Sequence, residues 1–131
     1  MKRTAKIIKS SEDGKRLIAV DIENFEEIVY FLEENKLTKK FDLICNTILL
    51  GLRNTELYDK ENINDRCKSV TAMKFKGRKN TRIYCTEVKQ KNKTLVIVTS
   101  ELLPKKKNQK NKQKEKSIIE KVASYEYKIE K

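Results

Sequence analysis

The sequence predicts an α/β domain with a mostly antiparallel sheet of four or five strands, two N-terminal helices and one C-terminal helix. Its 131 residues have the length of one ordinary domain, which we assign to residues 1–131. Apolar residues recur with a helical period between residues 25 and 52, and with a strand period on either side of that segment. Short polar links between the later strand-like runs are typical of hairpins.

The chain opens with two short runs that favour β-strands, residues 4–8 and 17–20. Asp13 and Gly14 lie between them, and both residue types tolerate the positive φ angles of a tight turn. This segment is therefore predicted to form a strand, a turn and a second strand.

Two helices are predicted next, joined by a short link at residues 35–37. Asn24 and Glu27 have the spacing of a capping box, and Thr38 is placed to cap the second helix. The first apolar stripe consists of Phe25, Ile28, Val29 and Leu32. The second consists of Phe41, Ile44, Cys45, Ile48, Leu49 and Leu52. The short link predicts an antiparallel helical hairpin, and the polar segment 55–66 that follows it is predicted to be a loop.

Three strand-like runs follow at residues 69–75, 81–88 and 94–98, separated by links short enough for hairpins. The last run is uniformly apolar, which is typical of a central strand covered on both faces. The middle run alternates, so that Arg82 and Tyr84 are expected to share one face of the sheet.

A run with seven lysines and one glutamate occupies residues 105–116. Its polarity is typical of a disordered tail. However, an apolar stripe follows it, with Ser117 as a plausible cap: Ile118, Ile119, Val122 and Tyr125. An amphipathic helix needs a surface on which to dock. We therefore expect the lysine run to form a loop, or the first turns of this helix, held near the three strands.

The positive charge is confined to one third of the chain. The net charge is +12, and residues 68–116 hold sixteen Lys or Arg against three acids, a net +13, while the remainder is close to neutral. A general bias toward lysine would have spread the charge evenly. The obvious partners are nucleic acid, an acidic protein or an anionic membrane surface.

Several classes of chemistry are excluded by composition. The chain has no histidine and only three glycines, so it has neither a histidine-based triad nor a glycine-rich phosphate loop. Its three separate cysteines suit idle thiols in a reducing compartment. Because acids do not cluster in the basic sequence, a two-metal nuclease is not expected, and no cofactor is predicted. Without a leader or an apolar membrane span, the expectation is a soluble cytoplasmic protein.

The remaining residue types suit metal-free cleavage of RNA by its own 2′-hydroxyl group. Arg neutralises phosphate, Lys among other cations can carry protons, and Tyr can stack on a base or share a proton. The same residue types also suit simple binding of backbone phosphates. Residue types alone therefore leave a non-catalytic RNA- or ribosome-binding protein, or an adaptor for an acidic protein, as alternatives.

The segment "MKFKGRKNTRIYCTEVKQKNKTLVIVTSELLPKKKNQKN" resembles the C-terminal half of RelE/HigB-type toxins of bacterial toxin–antitoxin pairs. "RIY" at residues 82–84, "LVIV" at 95–98 and "KKNQKN" at 106–111 follow the family's order, before a terminal helix. The resemblance implies a microbial RNase-like fold and an endoribonuclease that cuts mRNA, usually on the translating ribosome, and is held inactive by an antitoxin encoded nearby. The chain departs from the family in lacking a C-terminal histidine and in having the extra strand at 17–20.

The expected site residues combine those that match the family's motifs with neighbouring basic and aromatic residues of the same segment. The expected catalytic residues are Arg82, Arg78, Lys76, Lys107 and Tyr127. The expected RNA-binding residues are Lys74, Lys79, Tyr84, Lys105, Lys106, Lys110 and Lys112. In the implied mechanism the two arginines contact the phosphate and lysines move protons.

Overall fold

The computed structural model describes residues 1–106 and 112–131, in which a seven-stranded sheet is packed with three helices in a mixed α+β arrangement. The strands are β1 Lys2–Ser10, β2 Arg16–Asp21, β3 Tyr58–Lys60, β4 Val70–Phe75, β5 Thr81–Lys89, β6 Leu95–Leu103 and β7 Glu126–Glu130. The helices are α1 Phe25–Glu34, α2 Thr38–Leu49 and α3 Gln113–Ala123. A short 3₁₀ turn, Asp65–Cys67, precedes β4.

The strands lie in the order β3-β4-β5-β6-β2-β1-β7. Two neighbouring pairs, β2 with β6 and β1 with β7, are parallel, and the other four pairs are antiparallel. The mostly antiparallel sheet is therefore confirmed. The expected number of four or five strands is wrong, because β3 and β7 extend the sheet at its two edges.

The first hairpin has the predicted turn. Gly14 adopts a φ of +71°. Asp13 Oδ1 accepts hydrogen bonds from the backbone N–H of Lys15, at 2.9 Å, and from Ser11 Oγ, at 2.7 Å. The glycine and the aspartate together satisfy the backbone through the reversal, so that β2 enters the middle of the sheet.

Helices α1 and α2 cover one face of the sheet, which we call the helical-hairpin face. Their buried residues pack against those of the central strands in one apolar cluster: Ile28, Leu32, Phe41, Ile44, Cys45 and Ile48 against Ile18, Met73, Phe75, Ile83, Cys85 and Ile97. The apolar stripes therefore predicted the correct buried side of each helix. Two residues of the stripes are exceptions. Leu52 lies beyond the end of α2 and is 62% exposed, and Phe25, the first residue of α1, is 38% exposed.

The predicted caps of these two helices do not form. Asn24 precedes α1, but its side-chain amide instead donates to the Ser100 carbonyl oxygen and to Glu101 Oε2, both at 2.6 Å. Thr38 is the first residue of α2 rather than its cap. The Asn24 side chain therefore ties the start of α1 to β6 instead of satisfying the N–H groups of its own helix.

Helix α3 covers part of the opposite face, which we call the α3 face. Ile119 and Val122 are fully buried against Val70, Ala72 and Tyr84. The predicted docking of the C-terminal helix is confirmed. The helix begins at 113, so the end of the lysine run forms its first turn, as one of the two expected alternatives has it. Ser117 lies inside the helix rather than at its cap, and the predicted C-terminal end is wrong, because the helix ends at 123 and the chain then returns as β7 beside β1.

The apolar strand β6 lies between β5 and β2, and its residues 96–98 are fully buried. The prediction of a central strand covered on both faces is confirmed. Among the described helices, none combines the length and apolarity needed to cross a membrane.

Candidate functional site

The candidate site lies on the α3 face, where β4 and β5 run side by side. Lys74 and Arg82 are directly opposite each other in this antiparallel pair, so their side chains emerge on the same face. Arg82 Nη1 donates to Glu61 Oε1 at 2.6 Å and to Glu61 Oε2 at 3.3 Å. The Lys74 ammonium donates to the Thr55 carbonyl oxygen at 3.1 Å.

Glu61 is brought to this face by β3, the edge strand. It directly follows β3, and its backbone N–H donates to the Val70 carbonyl oxygen at 3.1 Å. Its side chain is only 6% exposed, and that of Arg82 is 18% exposed. The segment predicted to be a polar loop thus supplies the carboxylate that contacts the central arginine.

The start of the lysine run folds back onto the same place. The backbone N–H of Lys106 donates to the Lys79 carbonyl oxygen at 2.8 Å, and Thr81 Oγ1 donates to the Pro104 carbonyl oxygen at 2.7 Å. Lys106 is buried, with 4% of its surface exposed. Burial, followed by the nearby charge of Arg82, lowers the pKa of the Lys106 ammonium. The expectation that part of this run lies beside Arg82 is confirmed for Lys106.

A second carboxylate completes the group. Glu115, in the first turn of α3, is 6% exposed and lies close enough for its charge to act on Lys106 and Tyr84. We call Arg82, Glu61, Lys106 and Glu115 the buried charge cluster. Its two positive and two negative charges balance one another. Both carboxylates come from outside the basic strands, because the segment after β3 brings Glu61 and α3 brings Glu115.

Tyr84 lies beneath this cluster and has none of its surface exposed. Burial raises the pKa of its phenol. Within the described residues, its hydroxyl has no hydrogen-bond partner. The expected stacking of Tyr84 on an RNA base does not fit this position, because α3 separates the ring from solvent. Tyr84 lies on the same face as Arg82, as the alternation of side chains along β5 predicted. On this face the ring points into the core under α3.

The other cations of the β4–β5 hairpin lie at its tip, on both sides of the sheet. Lys76 is exposed and forms an ion pair with the exposed Glu56, and Arg78 is exposed. Lys79 points toward α1, where its ammonium donates to Asn35 Oδ1 at 2.7 Å and lies 5.6 Å from the centre of the Phe31 ring.

Two lysines of the lysine run that are expected to bind RNA, Lys105 and Lys112, are exposed. Lys107 and Lys110 lie outside the described residues. Of the expected site residues, Arg82, Lys74, Lys106 and Tyr84 are therefore brought together, whereas Lys79 points toward α1 on the other face.

Tyr127 belongs to a different polar network. It lies on β7 rather than on the predicted helix, and its hydroxyl donates to Asp21 Oδ2 at 2.7 Å and to Ser100 Oγ at 2.8 Å. Asp21 is fully buried and also accepts two hydrogen bonds from Arg3, at 2.6 and 3.0 Å. Burial raises the pKa of the Tyr127 phenol. These contacts tie β7 to β1, β2 and β6, which is a structural role.

Potential metal ligands do not cluster in the part of the chain that the structure describes. No cluster of three or more Cys, Asp or Glu side chains in the described ranges could hold a metal ion. The cysteines Cys45, Cys67 and Cys85 are buried thiols.

Comparisons with protein-family models, with curated proteins and with solved structures found no match to this chain.

Proposed function

We propose that the protein is a RelE/HigB-type endoribonuclease toxin that cleaves mRNA on the ribosome without a metal ion, by attack of the RNA 2′-hydroxyl group. The observation that supports this best is the convergence of Arg82, Lys74 and Lys106 on one face of the sheet. Cleavage through the 2′-hydroxyl needs cations at the phosphate and groups that move protons, and the substrate supplies the nucleophile.

The order of the elements supports the same proposal. The resemblance implies a pair of helices, then a basic strand, two further strands, a basic turn and a terminal helix. In the described chain, α1 and α2 precede β4, β5 and β6, and α3 begins within the last residues of the lysine run. Arg82 of the "RIY" motif lies on β5, the second strand of this series.

Arg82 has hydrogen-bonding capacity left for a phosphate group. Only its Nη1 is used by Glu61, and no partner in residues 1–106 or 112–131 accepts from Nε or Nη2. These two N–H groups form one edge of the planar guanidinium, which matches two phosphate oxygens. Lys74 beside it adds a second positive charge. We propose that Arg78 and Lys76, which are exposed at the hairpin tip, contact the flanking RNA backbone, and that Lys107 has the catalytic role expected from the resemblance.

The proposal includes partners and a place of action. A translating ribosome supplies the mRNA, so the protein acts in the cytoplasm. The cognate antitoxin is expected to be acidic and partly disordered and to cover the basic face. No cofactor is required.

A non-catalytic RNA- or ribosome-binding protein is the second candidate, and one observation favours it. The central arginine is already paired with Glu61, while Lys76, Arg78 and Lys105 remain exposed. Exposed cations are sufficient for binding to RNA phosphates with a strong dependence on salt concentration.

Mapping of RNA 5′ ends separates the two candidates. The protein is expressed in cells, mRNA is extracted, and fresh 5′ ends are compared between the wild type and Arg82→Lys. The Lys variant keeps a charge next to Glu61 but loses the bidentate edge. New ends that disappear in Arg82→Lys support the enzyme. If the RNA stays intact but binds to the protein at low salt, the result supports the binding protein. If no RNA binds to the protein even at low salt, the result supports the adaptor for an acidic protein.

A further inference from the structure

We propose that Glu61 is the general base of the cleavage reaction and that Lys106 donates the proton to the leaving group. This inference rests on the proposed endoribonuclease function and names the proton carriers of that same site. No histidine exists in the chain, so the proton of the 2′-hydroxyl group needs another acceptor. Within the described ranges, Glu61 is the carboxylate in direct contact with Arg82.

Glu61 is held in a fixed position, as a general base needs to be. Its backbone N–H is bonded to Val70 of β4, and its carboxylate is bonded to Arg82 of β5. Its side chain is 6% exposed, so little water competes for the carboxylate. The charge of Arg82 compensates the buried carboxylate, and the short contact fixes its orientation.

The geometry of the guanidinium group places a bound phosphate next to this carboxylate. Glu61 accepts hydrogen bonds from Nη1 of Arg82. A phosphate bound by Nε and Nη2 lies along the adjoining edge of the same planar group. In RNA the 2′-hydroxyl group is on C2′, which is bonded to C3′, the carbon that carries the 3′-oxygen of that phosphate. A phosphate on this edge therefore brings the 2′-hydroxyl group toward the Glu61 oxygens, as a reactive arrangement requires.

The proton balance of the step is complete with these two residues. Glu61 accepts the 2′-hydroxyl proton as the O2′–P bond forms, and the P–O5′ bond breaks. The 5′-oxygen leaves with a proton from the Lys106 ammonium. The products are a 2′,3′-cyclic phosphate and a 5′-hydroxyl end. Glu61 then loses its proton to water, and Lys106 regains one.

The position of Lys106 suits the second transfer. It is 96% buried beside the Glu61–Arg82 pair, and both members of that pair act on its charge. Burial and the arginine lower its pKa, which makes the ammonium a better acid than an exposed lysine. Arg82 thus has a positive group and a carboxylate close to it, as the two proton transfers require.

Glu61 has an alternative role that makes the opposite prediction. As a simple counterion, its carboxylate would occupy the place of a phosphate on Arg82, and RNA would have to displace it. Neutralising Glu61 would then strengthen RNA binding and speed cleavage. If Glu61 is the base, neutralising it leaves binding in place and abolishes the chemical step.

The test is a single-turnover cleavage assay of Glu61→Gln on ribosome-bound mRNA, with affinity measured on mRNA carrying a 2′-deoxy residue at the mapped cleavage position. We expect cleavage to fall about 10²–10⁴-fold with affinity kept. Glu87→Gln is the matched control. Glu87 accepts a hydrogen bond from Tyr58 at 2.7 Å on the helical-hairpin face, and its variant is expected to cleave like the wild type.

Cleavage by Glu61→Gln at or above the wild-type rate overturns the proposal for Glu61. A wild type that cleaves no RNA overturns the proposed function itself, so the two failures are distinguishable. If Glu61→Gln does not fold, Glu61→Asp serves instead, because it keeps the charge but withdraws the carboxylate by one methylene group. A partial loss of cleavage, with RNA affinity kept, is expected for this variant. A wild-type rate overturns the proposal.

A sulfur substitution separates the two proton transfers. An mRNA with sulfur in place of the 5′-oxygen at the cleavage position has a leaving group that needs no proton. We expect Lys106→Met to cleave the normal mRNA slowly and the sulfur mRNA at close to the wild-type rate, whereas Glu61→Gln stays slow on both. Equal slowing of Lys106→Met on the two substrates overturns the role of Lys106 as the acid.

Discussion

Arg82 on β5 is joined to Glu61, the residue after the edge strand β3, by a hydrogen bond of 2.6 Å between Nη1 and Oε1. Both side chains are mostly buried. The contact ties the edge of the sheet to the arginine on which the proposed function depends. A change at either residue therefore affects stability as well as chemistry, and experiments at this pair have to measure both.

Arg82→Ala is expected to lower the free energy of unfolding by about 3 kcal/mol, because it leaves the Glu61 carboxylate buried without its partner. It is also expected to lose about 3 kcal/mol of transition-state stabilisation in cleavage. Urea unfolding measures the first effect and single-turnover cleavage the second. Lys76→Ala removes an exposed ion pair with Glu56 and should change stability by less than about 1 kcal/mol. An Arg82→Ala protein as stable as the wild type would contradict the importance of the pair.

Tyr84→Phe is expected to keep or raise stability, by up to about 1 kcal/mol. The Tyr84 hydroxyl is buried without a hydrogen-bond partner in the described part of the chain, and an unpaired buried polar group opposes folding. Thermal unfolding of the two proteins gives the comparison, and RNA affinity should be unchanged. A loss of more than about 1 kcal/mol would show that the hydroxyl has a stabilising partner.

Tyr127→Phe distinguishes a structural from a catalytic role for this residue. The change removes the hydroxyl that donates to Asp21 and Ser100, so we expect a loss of about 1–2 kcal/mol in the free energy of unfolding. Cleavage per folded molecule should stay the same. If cleavage instead falls about a hundredfold while stability is kept, the catalytic role expected for Tyr127 from the family resemblance is correct.

Lys106 is expected to give stability and activity opposite dependences on pH. Its pKa in the folded protein lies below the ordinary value of 10.5 because of burial and of Arg82. Between these two values the unfolded chain holds the proton and the folded chain does not. The free energy of unfolding therefore rises with pH through that window. Cleavage falls in the same window, because the proton donor is lost.

Unfolding and cleavage measured from neutral to alkaline pH, for the wild type and for Lys106→Met, test this expectation. As pH rises, the free energy of unfolding of the wild type should increase relative to that of Lys106→Met. Lys105→Met, which changes an exposed lysine, is the control and should follow the wild type. A pH-independent difference for Lys106→Met would contradict the assignment.

Local patterns predicted most elements, and the misses have physical reasons. The strands β4, β5 and β6 and both N-terminal helices follow from periodicity alone. Edge strand β3 is only three residues long, and it forms through backbone pairing with β4, which no side-chain pattern records. Beyond α3, Tyr125 continues the helical spacing, but the helix ends at 123 and β7 forms by pairing with β1.

The candidate site was predictable on its basic side only. Strand alternation predicted that Arg82 and Tyr84 share one face, and the segment charge and the resemblance pointed to Lys74. That Lys74 lies opposite Arg82 depends on the register of β4 and β5. Glu61 lies 21 residues before Arg82 in the chain, in a polar segment without periodicity, and it reaches the site only through the β3–β4 pairing. Burial of Lys106 depends on how the chain leaves β6, and this too is tertiary information.

The central claim is tested most directly by the chemistry of the RNA ends that the purified protein makes on ribosome-bound mRNA. Divalent metal ions are removed after the mRNA has been loaded onto the ribosomes. The account predicts fragments with 2′,3′-cyclic phosphate and 5′-hydroxyl ends, made by the wild type and by Glu87→Gln but not by Glu61→Gln. Ends with a 5′-phosphate group, or mRNA that is bound and remains intact, would contradict it.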